Sequence, residues 1–247
     1  MHKKFFSIQN KQNLPINEIL NLSKQLITNL KTQVDYTEIK KTLEEIDLKS
    51  LKDSLDSDDK KKTFWINIYN SYTIINLKDE KQKKIYPKLK FFDLKNIKIA
   101  NENFSLSQIE NRFLRRSKIL FCLGYMSYPN CFLSSTEKTL RVDKLDSRIH
   151  FALNCGAKSC PPILFYEDKI IDKNLLKAEK SFVKSSEFDE KKKLLSVSKI
   201  FYWYKGDFGG TSGIIALHKQ HKIIPDSFKD EKINLKYQEY SWEITDN

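Results

Sequence analysis

The sequence predicts an α+β fold in which an N-terminal helical layer and a central buried helix pack on a mostly antiparallel sheet. Three observations predict it: helical periodicity early in the chain, a later segment that is apolar on every side, and short alternating segments between helices after that. With 40% hydrophobic residues, the 247-residue chain has the composition of a folded globule. We expect one domain over residues 1–247, with residues 1–57 as its N-terminal helical part.

The N-terminal helices and the central helix follow from hydrophobic spacing. Between positions 15 and 57, apolar residues that include Ile16 and Leu30 recur at helical intervals. The segment from Lys62 to Leu77 is apolar on almost every side, which is typical of a central helix. Asn67 and Asn70 share one face of that helix. They either tie down loops or line a pocket as oxyanion donors.

The rest of the chain mixes short strands with helices. Residues 96–105 predict a hairpin, and Ser105 begins a helix that carries Glu110 near the edge of its apolar face. Further predicted elements are a strand at the start of 148–162, a helix capped by Asp172, a strand at 194–197, a helix at 212–219 and a closing strand at 232–240.

The net charge of +12 is compatible with an acidic partner such as nucleic acid or anionic lipid. The excess is lysine in short runs such as Lys60–Lys62 and Lys191–Lys193, rather than clustered arginine with interleaved aromatic residues. We interpret this as a general composition bias, which argues against nucleic acid as a partner. An unidentified peptide or protein partner fits better, and nothing in the sequence fixes an oligomeric state.

No apolar run reaches the ~20 residues of a membrane-spanning helix. The basic start of the chain lacks the apolar stretch of a secretory leader. If this N-terminus is the natural one, we expect a cytoplasmic protein.

The residues from Arg148 to Pro162 concentrate reactive side chains: His150, Cys155 and Cys160. A thiol enzyme needs a thiolate, a base within hydrogen-bonding reach and a group that orients the base. In a regular strand, His150 and Cys155 would be about 16 Å apart on opposite faces. His150 therefore meets Cys160 or the carboxylate of Glu110 more easily. The alternative is that His150 is a core histidine and that both cysteines are plain buried thiols.

No catalytic role is predicted for the other cysteines and histidines considered. Cys122 and Cys131 lie in apolar settings typical of buried thiols, and His218 and His221 are expected at a solvated helix end. No spacing matches a zinc site, so neither a metal nor another cofactor is predicted. Asp207 follows an aromatic run, and we expect it to pair with Arg148 inside the fold.

Several motifs, taken in order, resemble one protein family, the domain of unknown function 547 family. They are Phe64–Asn70, Ser105–Glu110, Leu114–Arg115, Arg148–Cys155, Ser159–Pro162, Ser198–Phe201 with Asp207–Phe208, and Tyr240–Trp242. Members of this family occur in bacteria and, fused to coiled coils, in plants. Two positions depart from the family pattern, because Asn111 stands where a histidine is usual and Ser241 where an aspartate is usual.

The resemblance implies a relationship to papain-like and transglutaminase-like thiol enzymes. It favours Cys155 as the nucleophile, because plant members have serine at the position of Cys160. Asn111 removes one general base that the family offers, so this chain is either an active or a degenerate member.

Two functions follow from the sequence. The first is a cysteine-dependent hydrolase or acyltransferase on peptide or amide bonds, with Cys155 or Cys160 as nucleophile, His150 as base and Glu110 as orienter. Asn67, Asn70, Arg148 and Asp207 would then serve as oxyanion or substrate-binding groups. The second is a non-catalytic module that binds a peptide or protein on a degenerate thiol-enzyme fold.

Overall fold

The computed structural model describes residues 16–228 and 232–244, without the side chains of Ile16 and Asn17. The predicted absence of a leader at residues 1–10 lies outside the described residues. The α-helices are α1 Ile16–Lys31, α2 Thr37–Glu45, α3 Leu48–Ser54, α4 Asp58–Lys78, α5 Glu80–Lys83, α6 Leu89–Phe92, α7 Leu106–Gln108, α8 Ser135–Leu140, α9 Ile171–Val183, α10 Ile200–Trp203 and α11 Gly210–Gln220, and a π-helix, Ile109–Leu114, continues α7. The strands are β1 Ile97–Ile99, β2 Glu102–Phe104, β3 Glu187–Asp189, β4 Leu194–Val197 and β5 Asn234–Tyr237.

Helix α4 is the centre of the molecule, as its all-round apolar pattern predicts. Ser57 caps its N-terminus by accepting a hydrogen bond from the backbone N–H of Lys60. Phe64 and Trp65 are completely buried, and the indole N–H of Trp65 donates to the carbonyl of Leu140 at 3.1 Å. Helix α1 packs along it. The prediction of a central buried helix is therefore confirmed.

The strands form two small sheets, which confirms the α+β class. Strands β1 and β2 make the predicted antiparallel hairpin. It turns through Ala100 and Asn101, both with positive φ, as a two-residue hairpin turn requires. In the second sheet, β4 pairs antiparallel with β3 and parallel with β5. The closing strand is thus shorter than predicted and joins a mixed sheet.

The predicted strand at the start of 148–162 is wrong. Residues Ser147–Phe151 form a 3₁₀ helix. Its cap is Asp146, which accepts from the backbone N–H of Arg148 at 3.1 Å and binds the guanidinium of the same residue at 2.8 and 2.9 Å. This local capping by a side chain outweighs the alternating pattern. A similar misreading concerns α9, where the cap position is Ile170 and Asp172 lies in the first turn.

Two hydrophobic clusters lie on either side of the candidate site. One surrounds α4 and includes the hairpin and α7, whereas the other is built around Phe151, Phe201 and Phe208. The 3₁₀ helix joins them, because Ile149 belongs to the first cluster and Phe151 to the second. Within the described residues, no helix has the length and apolar character needed to cross a membrane.

Candidate functional site

A cavity of about 460 Å³ collects most of the reactive side chains. Its polar lining includes Glu110, Asn111, His150, Cys155 and Cys160. Its apolar lining comes from three places: the chain around α6, the loop before residue 124, and the aromatic run at α10 with its neighbours Tyr240 and Trp242. All four residues that the sequence offers as catalytic therefore reach one cavity.

The thiols meet because the chain reverses at Asn154 and Gly156. The Asn154 side chain accepts from the backbone N–H of Gly156 at 2.7 Å and donates to the carbonyl of Pro161 at 2.6 Å. Gly156 has a φ of +90°, and a Cβ there would lie 2.4 Å from Leu77 Cδ1. This turn brings Cys160 back, so that the backbone N–H of Cys155 donates to Cys160 Sγ at 3.0 Å.

One tyrosine hydroxyl joins both thiols. Tyr240 Oη lies 3.1 Å from Cys160 Sγ and 3.2 Å from Cys155 Sγ. Burial, together with the neighbouring thiols, raises the pKa of Tyr240, so its hydroxyl keeps a proton to donate.

The two thiols are not equivalent. Burial opposes ionisation of Cys160, but hydrogen bonds from the Cys155 side chain, from Tyr240 and from the backbone N–H groups of Cys155 and Ala157 lower its pKa to about 7. The hydrogen bond with Cys160 and burial raise the pKa of Cys155 well above its usual value. The pair therefore favours ionisation at Cys160 while Cys155 keeps its proton.

His150 is fixed by Asp207, which Arg115 also contacts. Asp207 Oδ2 lies 2.9 Å from His150 Nε2 and 2.6 Å from Arg115 Nε. Burial lowers the pKa of His150 and outweighs the opposing effect of Asp207, so the ring is neutral. Burial raises the pKa of Asp207, but hydrogen bonds and charges from His150 and Arg115 bring it below its usual value. A neutral ring that donates from Nε2 to this carboxylate keeps Nδ1 as its basic nitrogen.

Glu110 bonds to two tyrosines and not to His150. Its carboxylate accepts hydrogen bonds from the hydroxyls of Tyr204 at 2.6 Å and Tyr69 at 3.3 Å. The orienting carboxylate for His150 is Asp207, so the prediction that Glu110 orients it is wrong. Tyr204 links Glu110 to His150, because its ring stacks on the imidazole with centroids 3.8 Å apart.

Asn111 is part of the scaffold of the cavity wall. Its side-chain NH₂ donates to the carbonyl of Ser107 at 2.9 Å, and its oxygen accepts from Arg115 at 2.5 Å. Both ends of the amide are thus engaged, and an amide offers no basic nitrogen.

The structure does not bring Asn67, Asn70 or Arg148 to the cavity lining. Asn67 binds the backbone N–H and carbonyl of Tyr166, and Asn70 binds the backbone of Ala152 and Asn154. Both amides therefore tie loops to α4, which was the alternative to an oxyanion role. Arg148 pairs with Asp146 and Asp172. The predicted pair of Arg148 with Asp207 is not formed, because Arg148 finds a carboxylate two residues away.

His218, His221, Cys122 and Cys131 lie outside this cavity. His218 is fully buried and bonds to Ile214 O and Ser186 Oγ, which corrects its expected solvated position, and His221 pairs with Glu179. Cys131 is exposed and Cys122 half-buried, so neither is the buried thiol that was predicted. No cluster of three or more metal-ligating side chains occurs among the described residues.

Tyr204, Tyr240 and Arg115 are the site residues that sequence reasoning missed. Arg115 and Tyr240 lie within the motifs that carry the family resemblance, which was the available signal. Tyr204 had no such signal beyond its aromatic run.

A family comparison bears on these residues. The family model described as "Protein of unknown function, DUF547" matches residues 53–183, more than half of the chain. The chain belongs to this family. The matched residues of the DUF547 region carry Glu110, His150 and both thiols, whereas Tyr204, Asp207 and Tyr240 lie after them. Searches of curated proteins and of solved structures found no match.

Proposed function

We propose that this DUF547 protein is a cysteine-dependent hydrolase or acyltransferase acting on peptide or amide bonds, with Cys160 as the nucleophile. The observation that carries the proposal is the surroundings of Cys160 Sγ, which accepts from the backbone N–H of Cys155 at 3.0 Å and lies 3.1 Å from Tyr240 Oη. The pKa of Cys160 is lowered to about 7, and its thiol lies in the same cavity as a histidine fixed by a carboxylate. Low-pKa thiols in accessible, polar surroundings are characteristic of catalytic cysteines.

Cys160 replaces Cys155 as the preferred nucleophile on electrostatic grounds. Cys155 donates its backbone N–H to Cys160 Sγ and stays protonated, so it supports the neighbouring thiolate. A protonated thiol is also a proton donor for a leaving amine. The family pattern favours Cys155, and the two assignments predict different labelling sites.

In the proposed first step, Cys160 Sγ attacks the amide carbon. A carbon–sulfur bond forms, the carbon–nitrogen bond breaks, and the leaving amine takes the proton of the Cys155 thiol. In the second step, water or an acceptor amine gives a proton to Nδ1 of His150 and attacks the thioester, which releases the Cys160 thiolate. The proton on His150 then returns to Cys155. Asp207 holds the ring with Nε2–H toward it throughout.

A second function, a non-catalytic peptide-binding module, is favoured by one observation. Within the described residues, neither thiol hydrogen bonds to His150, whose partner is Asp207. The aromatic cavity lining would then bind an apolar peptide side chain without reaction.

Labelling of the native protein with iodoacetamide across pH separates these functions. We expect Cys160 to react with a midpoint near pH 7, while Cys155 stays slow, because only the thiolate attacks the reagent. Exposed Cys131 serves as the internal reference for a thiol outside the cavity. Peptide mass spectrometry assigns each site.

Turnover of a panel of acyl amides and acyl thioesters is the second measurement. Cys160→Ser should abolish turnover, whereas Cys155→Ser should reduce it and Cys131→Ser should leave it unchanged. Full turnover in Cys160→Ser would rule out the proposed nucleophile. Slow labelling of both cavity thiols, with ligand binding intact in Cys160→Ser, would favour the binding module.

A further inference from the structure

We propose that the mouth of the cavity is an interfacial surface that docks onto an anionic lipid bilayer. The mouth is defined by two segments that both line the cavity, residues 81–92 and residues 117–128. This inference goes beyond the proposed function, because it concerns where the cavity opens and not which bonds are cleaved there.

The mouth carries exposed apolar side chains. Phe121 is 75% exposed, Tyr125 58%, Met126 57% and Leu89 50%. Leu89, from α6, and Phe121 both line the cavity, and Tyr125 and Met126 belong to the same segment as Phe121, residues 117–128. Large side chains of this kind concentrated around a cavity mark a surface that binds something apolar.

Backbone hydrogen bonds fix the segment that carries the exposed side chains of residues 117–128. The hairpin of residues 117–128 is closed by hydrogen bonds from Ile119 to Met126 at 3.0 Å and from Tyr128 to Ser117 at 2.8 Å. At its tip, the carbonyl of Leu123 accepts from the backbone N–H of Gly206 at 2.7 Å. Phe121 therefore projects from an anchored loop, so its exposure is a property of the fold.

The positive charge of the mouth favours an anionic partner. Residues 81–92 contain five lysines and no acidic residue, and residues 117–128 contain Lys118 and no acidic residue. Aspartate and glutamate make up 32 of the 247 residues, so both stretches depart from the composition of the chain. The mouth therefore carries an excess of positive charge.

The cations next to the exposed apolar side chains are available to a partner. Lys88, Lys90 and Arg116 are exposed, and no carboxylate among the described residues forms a salt bridge with them or with Lys118. Apolar and aromatic side chains flanked by unpaired cations fit the headgroup region of an anionic bilayer, where the rings enter the interface and the cations meet phosphate. Nucleic acid would match the charge but not the exposed aliphatic side chains Leu89 and Met126.

Co-sedimentation with vesicles of phosphatidylcholine alone, or mixed with phosphatidylglycerol, tests the proposal on the whole chain. We expect binding to the mixed vesicles, weaker binding to the neutral ones, and a loss of binding as salt is raised. Phe121→Ser with Leu89→Ser should weaken binding at least about tenfold. Lys88→Gln with Lys90→Gln should weaken it about fivefold per charge.

Matched controls lie away from the mouth. Val34→Ser removes an apolar side chain that is 54% exposed, and Lys191→Gln with Lys192→Gln removes two exposed lysines. Both controls should bind like the parent, and circular dichroism should show that every variant is folded. Cys160→Ser should also bind normally, which separates this test from the proposed chemistry.

Three results would overturn the inference. The first is no binding to mixed vesicles. The second is an equal loss in the mouth and control variants, which would mean binding by net charge alone. The third is a dimer in sedimentation velocity that dissociates in Phe121→Ser without any vesicle binding, which would make the mouth a contact between copies of the chain.

Discussion

Two groups of polar side chains meet at the cavity and are held in different ways, and of their members only Asp207 lies behind the lining. The ionic cluster, consisting of Arg115, His150 and Asp207, has side chains that are 3%, 1% and 0% exposed. Its members are fixed by charged hydrogen bonds. The thiol pair, Cys155 and Cys160, is only half-buried and is held by a hydroxyl and by backbone N–H groups.

This difference indicates that the ionic cluster is a structural support and that the thiol pair is the reactive group. A buried charge that loses its partner is strongly destabilising, so the ionic cluster tolerates little movement. A thiolate held by neutral donors can leave them and attack a carbonyl without stranding an opposite charge. The ionic cluster is therefore expected to govern stability, and the thiol pair reactivity.

The largest expected effect is the loss of the carboxylate charge in Asp207→Asn. Arg115 would remain buried and charged without its partner, so we expect a loss of about 3–5 kcal/mol in the free energy of unfolding. Asp172→Asn is the matched control, because its side chain is 77% exposed and its pair with Arg148 should contribute less than about 1 kcal/mol. Urea unfolding measures both. Similar small losses of stability in the two variants would contradict the structural role assigned to the ionic cluster.

The same cluster sets the acid response of the folded state. The pKa of His150 is lowered from 6.5, so the unfolded chain takes up this proton first and stability declines as pH falls below 6.5. The pKa of Asp207 is lowered from 3.8, so its contribution is complete above 3.8 and is lost as pH falls through the lowered value. His150→Gln should remove the upper decline in unfolding curves and keep the lower one.

A smaller loss of stability is expected from Tyr204, the residue that stacks on His150. Tyr204→Phe removes the 2.6 Å hydrogen bond to Glu110, and we expect a loss of about 1–3 kcal/mol in stability. Tyr69→Phe is the natural control, since its hydroxyl donates to the same carboxylate at 3.3 Å and should cost less. Thermal unfolding gives the order of the two variants. A greater loss in Tyr69→Phe would reverse the roles given to these hydroxyls.

Sequence reasoning reached the reactive residues better than their partners. The motifs identified the family and the grouping of His150 with two thiols, and hydrophobic spacing predicted α4 and the β1–β2 hairpin. These features depend on local pattern, which a single sequence displays directly.

The partners of His150 and Asp207 depend on contacts across the chain. Arg115 and Asp207 are 92 residues apart, and His150 and Asp207 are 57 apart, so no spacing rule pairs them. The wrongly predicted strand at the start of 148–162 had a similar effect. It placed His150 and Cys155 on opposite faces of an extended chain, whereas a capped 3₁₀ helix followed by the turn at Gly156 sets their true separation.

The smallest expected change in stability, and the most specific change in reactivity, belongs to Tyr240→Phe. Its hydroxyl bonds to the thiol pair and to no member of the ionic cluster, so the free energy of unfolding should change by only about 1 kcal/mol. The Cys160 thiolate would lose one of its donors, and its pKa should rise from about 7 by about one unit.

Alkylation kinetics separate this effect from general damage to the fold. At about pH 7 the labelling rate of Cys160 should fall several-fold in Tyr240→Phe. At high pH the rate should match that of the parent, because Cys160 is then fully ionised in both proteins. Tyr202→Phe is the control, since that ring lines the same cavity and is 42% exposed. A rate lowered equally at every pH would indicate lost access to the thiol. A rate unchanged at every pH would mean that the backbone N–H groups alone hold the thiolate, and the thiol pair would then be independent of the aromatic run.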